Sequence, residues 1–86
     1  MSETHPEQVE GLEVNVVDDG YVIYQPDNDR VHYLNPTSAL IFELCDGQRD
    51  VDAIAAAVAE QFSLATPPIQ EVTDGVEQLR TEGVLA

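Results

Sequence analysis

The sequence contains no lysine and no tryptophan, and its only cations are Arg30, Arg49 and Arg80. Set against 17 acidic residues, these leave a formal charge of −14. Nucleic-acid binding draws most of its affinity from Lys and Arg placed against phosphates. A chain of this charge repels DNA and RNA, and it repels anionic lipid headgroups as well. It attracts a basic partner, and it equally suits a protein kept soluble in a saline cytoplasm. Cys45 is the single cysteine, which excludes an internal disulfide and a Cys-based zinc site. Its place in the run Leu40-Ile41-Phe42-Glu43-Leu44-Cys45 predicts a buried small hydrophobe. No segment approaches the ~20 apolar residues of a membrane span. The start, Met1-Ser2-Glu3-Thr4-His5-Pro6-Glu7, has neither the basic nor the apolar region of a signal peptide, so the expected location is the cytoplasm.

Catalytic signatures are missing too. There is no Gly-x-Ser-x-Gly, no phosphate-cradling glycine loop and no His-Glu-x-x-His. His5 lies in a polar stretch and His32 in a strand, whereas a metal site needs several convergent ligands. No metal is expected, and His32 reads as an exposed or rim side chain. Asp27-Asn28-Asp29 resembles the start of a calcium loop, but Val31 stands where an oxygen ligand belongs. His32 replaces the required glycine and Ser38 the bidentate glutamate, so the segment is a turn. An acyl carrier protein is also small and acidic but helical throughout, and that reading is rejected because strands precede Ser38 and its context is Pro36-Thr37-Ser38-Ala39-Leu40. With 86 residues the chain holds one domain and one modest core, not a deep enclosed active site as well. The expectation is a binding protein with no cofactor, not an enzyme.

What is present has a clear order. Residues 1–11 are polar and read as a frayed tail, leaving 12–86 as the domain. Leu12-Glu13-Val14-Asn15-Val16 alternates like a half-buried strand, and Asp18-Asp19-Gly20 is a hairpin turn. Tyr21-Val22-Ile23-Tyr24 gives a second strand, Pro26-Asp27-Asn28-Asp29 a second turn, and Arg30-Val31-His32-Tyr33-Leu34 a third strand. Asn35-Pro36 then opens a helix with a capping side chain and a proline at its first position. Gly47 closes that helix and Asp50 caps the next, where Val51, Ile54, Val58 and Phe62 recur at helical spacing. Pro67-Pro68 opens a third helix with Ile69, Val72, Val76 and Leu79 on one face, ended by Gly83. The predicted class is α+β: a three-stranded antiparallel meander followed by three helices, arranged like a winged helix-turn-helix, with sheet and helices sharing one core.

From Tyr21 to the C-terminus the chain resembles the PqqD family. The likeness is carried by Arg30-Val31-His32-Tyr33-Leu34-Asn35, by Ala39-Leu40-Ile41-Phe42-Glu43-Leu44-Cys45-Asp46-Gly47, by Val51-Asp52-Ala53-Ile54, and by the closing Val76 to Leu85. That family, named for pyrroloquinoline quinone biosynthesis, is the prototype of the RiPP recognition element, the domain that binds leader peptides of ribosomally made precursors. The resemblance implies a leader docking as an extra strand beside the third strand, in a groove walled by the third helix. An open sheet edge permits such strand addition. On this basis Arg30, Val31, His32, Tyr33 and Leu34 are the candidate pairing strand. Ile69, Thr73, Val76, Glu77 and Arg80 are the candidate wall. Leu34 and Val76 also fit core positions, and Arg80 fits a pair with Glu77 as well as with an acidic leader residue. The implied partners are a precursor peptide and a separate modifying enzyme, such as a radical-SAM protein, a cyclase or a protease. Two other functions fit the architecture. A winged-helix nucleic-acid regulator would have to present Glu71, Asp74, Glu77 and Glu82 to phosphates. An adaptor would use the same groove for a protein partner.

Overall fold

The structure, a computed structural model, describes residues 5–86. It contains three strands, β1 (Glu13–Val17), β2 (Gly20–Gln25) and β3 (Arg30–Leu34), then three helices, α1 (Pro36–Leu44), α2 (Val51–Gln61) and α3 (Ile69–Thr81). The α+β class and the element order are those the sequence predicts. The strands form an antiparallel meander in the order β1-β2-β3. One sheet layer and one helical layer account for a slab of 38 × 36 × 18 Å.

The first two helices start at a capping side chain, whereas α3 starts at Pro68 with no side-chain cap. Asn35 accepts from the Ser38 amide at 2.8 Å, satisfying one orphan donor of α1, with Pro36 as its first residue. Asp50 does the same for α2 through the Ala53 amide at 2.9 Å. The core forms where the apolar stripes of these helices meet the inner sheet face: Ile23 and Leu34 from the sheet, Ile41 and Phe42 from α1, Ile54 and Val58 from α2, and Val72, Val76 and Leu79 from α3. Gly75 lets α1 approach α3, since a Cβ there would stand 3.0 Å from Ile41 Cδ1. Phe62 departs from the expected stripe. The helix ends at Gln61, Ser63 turns to φ 56°, and the ring is left 44% exposed.

The sheet is only partly covered. On the inner face of β2 and β3 the rows Tyr21–Leu34, Ile23–His32 and Gln25–Arg30 face the helices, while Val22–Tyr33 and Tyr24–Val31 face outward. Among the described residues no helix packs on β1, and all five of its residues are exposed. Its alternation is that of a half-buried strand, but alternation records which residues share a face, not whether a second layer covers it.

Residues 1–4 lie outside the described residues. Of the rest of the expected frayed tail, Pro6 is fully buried, and residues 6–9 run between two neighbouring backbones. Gly47 donates to the Pro6 carbonyl at 2.9 Å, and Gln8 donates to that of Cys45 at 3.1 Å. On the other side Val9 donates to Val84 at 3.1 Å and Ala86 to Glu7 at 2.8 Å. The bonds are main-chain ones, so the polar side chains of this stretch give no sign of them.

Candidate functional site

Register decides which backbone groups of the sheet are spare. The Asp18-Asp19 turn joins strands at the pair Val17–Gly20. In a two-residue hairpin the pair flanking the turn is hydrogen-bonded, and bonded pairs then alternate along the ladder. Glu13, Asn15 and Val17 therefore bond across to β2, whose Tyr21, Ile23 and Gln25 turn the other way, to β3. Their partners Leu34, His32 and Arg30 use up their main-chain groups. Val31 and Tyr33 are left with N–H and C=O pointing away from the sheet. Among the described residues no strand pairs beyond β3, so these groups form an open edge.

The side chains of β3 divide the same way. Arg30, Val31 and Tyr33 are exposed, whereas Leu34 is in the core and His32 is only 8% exposed. The burial of His32 departs from its reading as a rim side chain. Its partners come from distant parts of the chain. Gln25 donates to the Gly83 carbonyl at 2.9 Å, which turns its amide oxygen toward His32 Nε2 at 2.8 Å and fixes a proton on that nitrogen. Nδ1 faces Glu82 Oε1 at 3.3 Å. Glu82 in turn accepts from Gln78 at 2.8 Å. This network, buried at His32 and exposed at Gln78, ties the middle of β3 to the end of α3. On the outer face Tyr33 donates to the Asp19 carbonyl at 2.8 Å, bracing β3 against the first hairpin turn.

The residues of α3 fall on two flanks. At about 100° per residue, Ile69, Thr73, Glu77 and Arg80 lie on one side of the buried Val72, Val76 and Leu79, and Glu71, Gly75, Gln78 and Glu82 lie on the other. The second flank meets α1 through Gly75 and reaches β3 through Glu82. On the first flank Arg80 Nε donates to the Ala86 carbonyl at 3.0 Å, and the Thr73 hydroxyl donates to the Ile69 carbonyl one turn back. Ile69 is 41% exposed, and Val76 is in the core. The structure thus gathers Arg30 to Leu34 on one strand, and the residue whose side chain reaches that strand from the end of α3 is its C-cap, Glu82. Glu82 carried no sequence signal, because both flanks of α3 are polar and a helical wheel alone does not say which one turns to the sheet.

Cys45 is fully buried, as its sequence position predicts. Burial pushes its thiol up to about 11, with Arg80 opposing and Asp46 adding to the shift. Beside it a shallow cavity of about 310 Å³ is lined by Glu7, Gln8, Val9, Glu10, Cys45 and Asp46. None of these belongs to β3 or α3, so the cavity is separate from the open edge. A thiol so shifted is about one-thousandth ionised at pH 8, and iodoacetamide is expected to alkylate Cys45 at least about a hundredfold more slowly than free cysteine. Mass spectrometry of the folded and urea-unfolded protein checks this, since only the unfolded chain should label at the free rate.

No group of three or more His, Cys, Asp or Glu residues is arranged to hold a metal ion among the described residues, and no helix there is long and apolar enough to cross a membrane. A family model described as "Coenzyme PQQ synthesis protein D (PqqD)" matches residues 20–85. The chain is 41% identical over 59 residues to "PqqA binding protein 1" of Pseudomonas putida KT2440, a match that takes in 69% of this chain and 58% of that protein. It is also 41% identical over 59 residues, with the same coverage, to "PqqA binding protein" of Pseudomonas fluorescens Pf0-1. The matched stretch thus spans 58% of the length of these relatives. No solved structure gives a comparable match.

Proposed function

The chain belongs to the PqqD family, and from that premise we propose that it binds the leader of a ribosomally made precursor peptide and presents it to a separate modifying enzyme. The observation that carries this reading is the open edge of β3, where Val31 and Tyr33 offer unpaired main-chain groups. An extended peptide added there continues the sheet by the ordinary ladder. The relatives' name, PqqA binding protein, points to a PqqA-type precursor as the ligand. The effect is a raised local concentration of substrate at the enzyme, with no turnover and no cofactor in this chain. The enzyme would be of the radical-SAM, cyclase or protease kind, and the cytoplasm is the compartment where precursor and enzyme would meet.

In this reading Arg30, Val31, His32, Tyr33 and Leu34 keep the pairing strand, with separate duties. Val31 and Tyr33 bond the peptide, Leu34 anchors the strand in the core, and His32 latches it to α3. The wall is the flank of α3 that carries Gln78 and Glu82. Ile69, Thr73, Glu77 and Arg80 lie on the opposite flank, and Val76 supports both from the core. The domain is 12–86, braced by the segment 6–9. A nucleic-acid role finds no support on α3, where Arg80, its only base, is tied to the Ala86 carbonyl among exposed acids.

Calorimetry with a synthetic PqqA peptide tests the proposal. Strand addition together with apolar contacts, less the cost of ordering the peptide, predicts a Kd from about 0.1 to 10 μM. In ¹⁵N spectra the largest shifts should fall on the Val31 and Tyr33 amides. A PqqA peptide that leaves β3 unchanged at millimolar concentration defeats the reading.

A further inference from the structure

We infer that the outer edge of β1 is a second docking edge, built for an extended strand of a partner protein that carries Lys or Arg. The ladder that frees Val31 and Tyr33 on one side of the sheet frees the main chain of Val14 and Val16 on the other. Val14 and Val16 share the sheet face that, further along, supports the helices, yet among the described residues no helix reaches them, and they stay 42% and 75% exposed. Open edges are commonly protected by lysine, proline or a bulge. β1 has none of these, its register with β2 being unbroken from Glu13 to Val17.

Charge selects the occupant. Exposed Glu10, Glu13, Asp18 and Asp19 rim this edge, and no Lys or Arg precedes Arg30 in the sequence. Arg30 itself sits on β3, with β2 between. A second copy pairing through the same edge would bring two acidic rims together, on chains of formal charge −14 each. A strand with alternating apolar and basic residues meets both demands, covering Val14 and Val16 while neutralising the rim. β1 also lies ahead of residues 20–85, the stretch that the family model matches. The inference does not depend on what β3 binds.

The test is a titration of the ¹⁵N-labelled full chain with a blocked peptide of alternating lysine and valine, and with its glutamate counterpart. The lysine peptide should shift the Val14 and Val16 amides and protect them from exchange, and the glutamate peptide should not. Val16→Pro removes an outward donor without touching the β2 ladder and should weaken the lysine peptide at least about tenfold. Should that variant fail to fold, Val16→Lys places a like charge against the probe and should show the same loss. Shifts confined to β3 or scattered over the acidic surface, an equal response to the glutamate peptide, or self-association of the protein through β1 would overturn the inference. The PqqA peptide is read at Val31 and Tyr33 in the same spectra, so either edge can fail while the other stands.

Discussion

Replacing Val31 with proline should weaken leader binding by about 10- to 100-fold and leave the fold intact. The Val31 N–H points away from β2, so the change breaks no bond of the existing sheet, and an edge strand is where proline is tolerated. What it removes is one donor of the added ladder, a net ~0.5–1.5 kcal/mol. The ring also stands where the incoming strand would lie, which roughly doubles that loss, and about 1.4 kcal/mol is a factor of ten. Val31 is 64% exposed, so its side chain contributes little to the core. Calorimetry gives the affinity, and circular dichroism checks that the melting curve stays put. Binding that survives in a folded Val31→Pro protein would rule out strand addition at this edge.

Gly20→Ala should be the most damaging single methyl group in the molecule, costing at least about 3 kcal/mol. Gly20 begins β2 at φ 147°, a conformation that side chains other than hydrogen rarely adopt. A Cβ there would collide with the Leu34 carbonyl oxygen and come within 3.0 Å of its carbon and 3.2 Å of Asn35 Cα. All of these are main-chain atoms, so no rotamer change relieves the clash. The strands must part at the point where β3 hands over to α1. A domain of this size has only ~4–13 kcal/mol of net stability, and urea denaturation should find the variant largely unfolded or close to it. Gly11→Ala is the control. It also has positive φ, 86°, but a Cβ there meets nothing within 4 Å, so only the ~1 kcal/mol of backbone strain should appear. Equal losses at the two positions would show that packing against Leu34 is not the cause.

Most of the architecture can be read from local chemistry. Asn35-Pro36 and Asp50 announce their helices, Asp18-Asp19 announces a hairpin, and each device depends on residues within a few positions of one another. The site is less legible because its decisive contacts are remote. His32 shares the inner face with Ile23 and Leu34, and its ring is satisfied there by Gln25, seven residues earlier, and Glu82, fifty later. Without them a strand histidine between exposed Val31 and Tyr33 reads as a rim residue. The flank of α3 from which Glu82 reaches β3 is hidden for a related reason, since Gln78 and Glu82 look no different from Glu77 and Thr73 until the helix has been docked. The exposure of β1 depends on the extent of the helical layer, which no property of the strand records. The family likeness adds what local chemistry does not, the expectation that a peptide pairs with the open β3 edge, and Val31→Pro tests it.

The bonds from residues 6–9 to both Cys45–Gly47 and Val84–Ala86 also bear on the order in which the molecule can assemble. Translation releases the amino end first, yet one side of its seat is made of residues threaded out after α3. The meander can close from neighbouring residues as soon as it emerges, whereas Ala86 must cross almost the whole chain length to meet Glu7. Until then Pro6 has only half its berth, the side that Gly47 supplies.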